Sequence, residues 1–125
     1  MTARRRATAF SLLAVLMLAA AAFATQQDKK KEAQLRTVHG TVMDAHETAV
    51  ADSVVYLKNT RSQDIKTHIA DAGGLYRFSG LDPNVDYEIH AEHGDMTSIT
   101  HSISSFDSRK DIDIVLKLDK KKPSQ

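Results

Sequence analysis

Between residues 36 and 118 apolar side chains recur at every second position, in short runs separated by turn-forming residues. A period of two sends alternate side chains to opposite faces of an extended chain, so each run reads as a half-buried β-strand. Val85, Tyr87, Ile89 and Ala91 alternate with Asp86, Glu88, His90 and Glu92. Ile112, Ile114, Leu116 and Leu118 likewise share one face. No long apolar segment of helical period lies within this region. The runs predict strands over 36–44, 53–58, 64–70, 75–79, 85–93, 96–103 and 111–118. Seven short strands at this spacing predict an all-β, antiparallel, seven-stranded sandwich of Greek-key type.

The stretch from Asp71 to Phe78 is the most informative. The Asp71 carboxylate is suited to accept backbone N–H groups of its own turn, and Gly73 and Gly74 are expected to supply positive φ. Tyr76 and Phe78 then share a face and are expected to meet Tyr87 in the core. Asp44 is expected to brace a turn in the same way. Gly40, in mid-strand, predicts a close backbone approach or a bulge. In the second strand Ser53, Val55 and Leu57 face in, which turns Val54 and Tyr56 out. In the third, Ile65, Thr67 and Ile69 are expected to face in, leaving His68 outside. Ile99 and Ile103 are the expected apolar anchors of the sixth.

Residues 1–24 read as a secretory signal peptide. Arg4, Arg5 and Arg6 form its basic start, an apolar stretch runs from Phe10 to Phe23, and Ala22-Phe23-Ala24 fits the small-x-small cleavage pattern. The apolar stretch falls short of the roughly 20 residues of a spanning helix. Cleavage after Ala24, no membrane insertion thereafter, and a periplasmic or secreted location are the expectations. Residues 25–35 read as a polar linker and 119–125 as a lysine-rich tail whose charges are solvated.

The chain of 125 residues contains no cysteine. For an exported protein that removes disulfide stapling, thiol catalysis and thiolate metal sites together. Residues 36–118 carry 8 basic and 13 acidic side chains. An acidic body of this kind argues against a nucleic-acid face.

Three blocks share a pattern with a known family. Val38-His39-Gly40-Thr41-Val42-Met43-Asp44 resembles V-x-G-x-V-x-D. Ser53-Val54-Val55-Tyr56-Leu57 resembles the family's second strand. Asp71 through Phe78 with Leu81 resembles D-x-x-G-x-[YF]-x-F-x-x-L, and Tyr87, Ile89 and Ala91 follow in step. Together they resemble the carboxypeptidase regulatory-like domain, a transthyretin-like sandwich. The loop after Asp44 departs from the pattern: it reads His46-Glu47-Thr48-Ala49-Val50, without the usual Gly and Pro. The resemblance implies a module without catalytic residues that spaces, stabilises or binds.

The residues themselves offer few chemical motifs. No serine sits in a nucleophile elbow, no aspartate series forms a calcium loop, and no pair among the six histidines has recognised metal-ligand spacing. The candidate binding residues are the outward pair Val54 and Tyr56, together with His39, His68 and His90. Asp44, Asp71, Gly73 and Gly74 are assigned to turns. No cofactor, metal or catalytic residue is assigned. The expected function is a non-enzymatic module for a protein or carbohydrate of the cell envelope. The alternative is a small metal-binding protein or enzyme built on the three outward histidines.

Overall fold

The computed structural model describes residues 35–123. The expected signal peptide and nearly all of the linker lie outside the described residues. The strands are β1 (Arg36–Asp44), β2 (Val54–Asn59), β3 (Ile65–Ile69), β4 (Leu75–Leu81), β5 (Tyr87–His93), β6 (Met96–Thr97), β7 (His101–Ile103), β8 (Asp111–Asp113), β9 (Leu116–Leu118) and β10 (Lys120–Lys121). One sheet runs β4-β1-β8, with β9 continuing alongside β1; the other runs β10-β6-β5-β2-β3, with β7 also on β5.

Register explains which side chains are buried. Val38 lies opposite Phe78 and Gly40 opposite Tyr76 in the β1–β4 ladder. Val55 lies opposite Ala91 and Leu57 opposite Ile89 between β2 and β5. These faces close on each other with Tyr87, Ile103, Ile112, Leu116 and Leu118 to form the core. Tyr76, Phe78 and Tyr87 are all buried within it. Each fully buried aliphatic or aromatic side chain contributes about 1.5–3 kcal/mol, and without disulfides this burial carries the fold.

The all-β sandwich agrees with the sequence reading, but strand count and pairing differ. The sixth predicted strand divides into β6 and β7 because Ser98 turns inward. Its Oγ accepts the Ala91 N–H at 2.9 Å, which takes up a backbone donor of β5. The seventh divides into β8 and β9, and both pair with β1 in parallel. Pure antiparallel pairing is therefore corrected to a mixed sheet. Ile99, in the break between β6 and β7, is 47% exposed rather than buried.

The third strand is inverted relative to expectation. β3 pairs with β2 so that Ile69 lies opposite Val54, Thr67 opposite Tyr56 and Ile65 opposite Lys58. Directly opposed residues share a face, so Ile65, Thr67 and Ile69 stand on the outer side. His68, expected outside, lies opposite the buried Val55 on the core side of the rim.

The turns follow their chemistry. Asp71 Oδ1 accepts from the N–H groups of Gly73 and Leu75, both at 2.9 Å. Gly74 takes φ 73°, and a side chain there would press on the Val42 carbonyl. Gly73 is corrected: it is not among the positive-φ residues. Asp44 Oδ1 accepts from His46 and Thr48 at 2.8 and 3.0 Å. Those bonds hold its carboxyl below the usual range, Thr48 contributing most. Glu47, in the loop that lacks the family's usual Gly, takes φ 64°.

The break between β8 and β9 is a junction of three elements. Ile114 donates its N–H to the His39 carbonyl at 2.9 Å, and its own carbonyl accepts the Tyr76 hydroxyl at 2.6 Å. A Cβ on Gly40 would overlap that carbonyl. Gly40→Ala is expected to destabilise by about 1–3 kcal/mol through overpacking, and Tyr76→Phe by about 1–2 kcal/mol because the Ile114 carbonyl loses its partner. Urea unfolding checks both, and the double substitution should cost less than the sum because both act on one carbonyl. Burial, and secondarily Asp113, push the Tyr76 phenol well above the ordinary tyrosine range. Its contribution to stability is thus complete below pH about 10 and is lost as pH climbs beyond the unfolded-state value. Alkaline titration followed by tyrosinate absorbance should show one of the three tyrosines ionising only with unfolding.

Candidate functional site

Val54, Tyr56 and His90 come together on the outer face of the β3-β2-β5 sheet. Three cross-strand rows build this face: Ile69–Val54–Glu92, Thr67–Tyr56–His90 and Ile65–Lys58–Glu88. The Tyr56 and His90 rings stack with centroids 4.9 Å apart and planes 10° from parallel. Val54 and Ile69 flank this stack on one side and Ile65 flanks it on the other, and both isoleucines are well exposed, at 59% and 64%.

Charge lies along the β5 border. His90 Nε2 is 3.7 Å from Glu92 Oε2, and Lys122 Nζ is 3.4 Å from Glu92 Oε1. Lys122 reaches Glu92 because β10 pairs with β6 and the Lys122 N–H donates to the Asp95 carbonyl at 2.8 Å. The expectation of a wholly solvated lysine tail is thereby corrected. A shallow groove of about 400 Å³, lined by His90, Glu92, Thr97, Thr100 and Lys122, runs beside these charges. Desolvation, and then the neighbouring Glu92, raise the Tyr56 phenol above its ordinary value. Tyr56 is therefore a protonated donor at neutral pH. The arrangement offers an apolar area, an aromatic–imidazole stack and a balanced charge pair, all of which are recognition chemistry.

His39 and His68 stand elsewhere. His39 is on the outer face of the β4-β1-β8 sheet, with Nε2 2.9 Å from Asp111 Oδ1. His68 sits at the rim of its sheet, edge-on to Phe78 with centroids 5.9 Å apart. Both line one shallow groove with Asp71, Tyr76 and Arg77, but His90 does not. His90 thus stands apart from the groove that His39 and His68 share, and the three imidazoles do not converge on one site. Among the described residues no cluster of three potential metal ligands occurs.

Sequence reasoning missed Ile65 and Ile69 because apolar residues in alternation were taken to face inward. It set Glu92 on the outward side beside His90, but read Lys122 as part of a solvated tail. Lys122 required the β6–β10 pairing, which has no local mark.

A family model described as the carboxypeptidase regulatory-like domain matches residues 37–117. Among solved structures the chain is similar to catechol 1,2-dioxygenase from Pseudomonas arvilla C-1, at 12% identity and TM-score 0.52, over 68% of this chain and 52% of that one. It is also similar to BcpA, the major pilin subunit of Bacillus cereus, at 14% identity and TM-score 0.51, over 69% of this chain and 30% of that one. At such identities the likeness is one of fold, and the chain spans about half of the dioxygenase and less than a third of the pilin subunit. A search of curated proteins finds no match.

Removing the charge of Glu92 should leave the Tyr56–His90 stack in place and bring the Tyr56 phenol down toward its ordinary value. Glu92→Gln, followed by ring chemical shifts of Tyr56 through an alkaline titration, checks this. An unmoved midpoint would mean that desolvation acts alone.

Proposed function

The chain belongs to the carboxypeptidase regulatory-like domain family, and from that membership we propose that it is an exported, non-enzymatic module that binds a protein of the cell envelope through the outer face of β3, β2 and β5. The observation that carries this reading is the Tyr56–His90 stack with Val54 and Ile69 on one side of it and the exposed Ile65 on the other. Exposed apolar side chains around an aromatic, bordered by charges, are characteristic of interaction surfaces, and tyrosine supplies contact area at low entropic cost. A protein surface suits this face better than a sugar. Sugar stacking uses an open aromatic face, and His90 already occupies one side of the Tyr56 ring.

Export is supported by the basic start, apolar run and Ala22-Phe23-Ala24 of the N-terminal segment. The absence of catalytic motifs from the sequence and the family membership support a non-enzymatic role. The alternative metal-dependent reading is disfavoured because His90 stands apart from His39 and His68.

A photoreactive residue at position 54 of the full chain, activated in intact cells, is expected to yield one dominant protein adduct. Ile69→Glu or Tyr56→Ala should reduce that adduct about tenfold or more, as removal of a central anchor does, without altering the circular dichroism spectrum. The protein recovered from those cells should begin at Thr25 by intact mass. An adduct that is indifferent to both substitutions would overturn the assignment of the face, and an uncleaved chain in the cytoplasm would overturn export.

A further inference from the structure

We propose that β3 is a self-pairing edge, which joins two copies of this chain antiparallel about a two-fold axis at Thr67. This pairing does not rest on the partner-binding reading above, because its hydrogen bonds come from the backbone rim of β3 and the outer-face side chains of Ile65 and Ile69 serve only to select the register. Among the described residues no strand covers that rim, and all five residues of β3 are exposed.

Free sheet edges are ordinarily blunted by bulges, prolines, short length or several charges. The other edges follow this rule. β4 carries a register shift opposite Arg36 and Val38, with Gly80 at φ 72°; β8 and β10 are three and two residues long. β3 instead pairs with β2 through five consecutive positions without a shift. It contains no proline and one lysine, Lys66. It is the straight, regular edge of the described molecule.

Its backbone groups determine the register. Asn59 donates its N–H to the Asp64 carbonyl, and Ala70 donates to the Ser53 carbonyl, both at 2.8 Å. Positions 64 and 70 therefore turn their backbone groups toward β2, and by alternation so do 66 and 68. The N–H and C=O groups of Ile65, Thr67 and Ile69 point to the free side. In an antiparallel pair, hydrogen-bonded positions must oppose one another, so only odd positions can meet odd positions. Centring on Thr67 places Ile65 opposite Ile69 of the second copy, at both ends, and makes about six hydrogen bonds.

The neighbouring registers are worse. Centring on Lys66 sets that ammonium against its own copy, and like charges directly opposed are unfavourable. Centring on His68 sets Ile65 against Asp71. Charge and apolar matching thus select one register. In it the Ile65 and Ile69 side chains cover one another across the axis, and the two outer faces become one surface. Five residues a side cover less than the roughly 1,600 Å² of a standard stable interface. The pair is accordingly a reversible, concentration-dependent dimer.

Sedimentation equilibrium of the protein recovered from expression of the full chain tests this, across the micromolar to millimolar range. A monomer–dimer equilibrium is expected. Thr67→Lys, which opposes two ammonium groups on the axis from an exposed position, should weaken dimerisation about tenfold or more while the unfolding midpoint stays unchanged. Because the chain has no cysteine, Thr67→Cys supplies a second readout. Opposed Cα atoms of a hydrogen-bonded pair lie about 5.5 Å apart, within disulfide reach. It should cross-link under mild oxidation much faster than Ser108→Cys on an exposed loop. A monomer throughout the range, a dimer indifferent to Thr67→Lys, or equal cross-linking of the two cysteine variants would each overturn the proposal.

Discussion

The arrangement of the two sheets depends on the contact at which Gly40, Tyr76 and the Ile114 backbone meet. Tyr76 enters the core from β4, and its hydroxyl must find an acceptor there, because a buried unpaired hydroxyl is costly. The Ile114 carbonyl is that acceptor, at 2.6 Å. It is free to serve because the chain leaves the ladder between β8 and β9. The carbonyl comes close to β1 only because residue 40 has no side chain. One glycine therefore permits a strand to break, and the break satisfies the polar tip of a core aromatic. The parallel seam of β8 and β9 along β1 passes through this point.

Much of the fold was legible in the sequence because a half-buried strand carries its own record of inside and outside. Val85 through Ala91 alternate, and every apolar member is buried. Gly40 was legible as a close approach, since glycine in mid-strand is otherwise unfavourable. The parallel pairing of β8 and β9 was not, because it brings together residues more than seventy positions apart and leaves no local pattern. Ser98 was equally silent: a serine inside a strand has no sign that its hydroxyl will replace a ladder partner. Glu47 is a third case, where the required left-handed conformation is met without the residue that advertises it.

The inversion of β3 has a physical cause. Alternation identifies two faces and does not say which is inward; that is inferred from the more apolar set. In β3 the more apolar set is Ile65 and Ile69, and both are exposed. The ladder with β2 decides instead. Val55 and Leu57 are committed to the core by their own partners on β5, and β3 must then set Lys66 and His68 on the same side. At the rim this is tolerable, because a long or polar side chain can reach out past the last strand. His68 does so while laying its edge against Phe78. A strand whose apolar residues stand outside, against the interest of its own burial, has those residues available for contact with another surface.

The same reasoning separates the candidate residues from one another. Val54, Tyr56 and His90 are neighbours because β2 and β5 pair in register, whereas His39 belongs to the other sheet and to Asp111. Reading them together from outward parity alone was bound to mix two faces of a sandwich, since parity is local and face identity is a property of the sheet. The outer face of β3, β2 and β5 has what an interface centre requires, which is apolar area with an aromatic at its middle and charge at its border. The opposite outer face carries Thr37, His39, Thr41, Arg77 and Asp111, a mostly solvated surface, with Leu75 and, in the break between β8 and β9, Val115 as its exposed large apolar residues. The asymmetry between the two outer faces, rather than any single residue, is what supports the proposed contact surface.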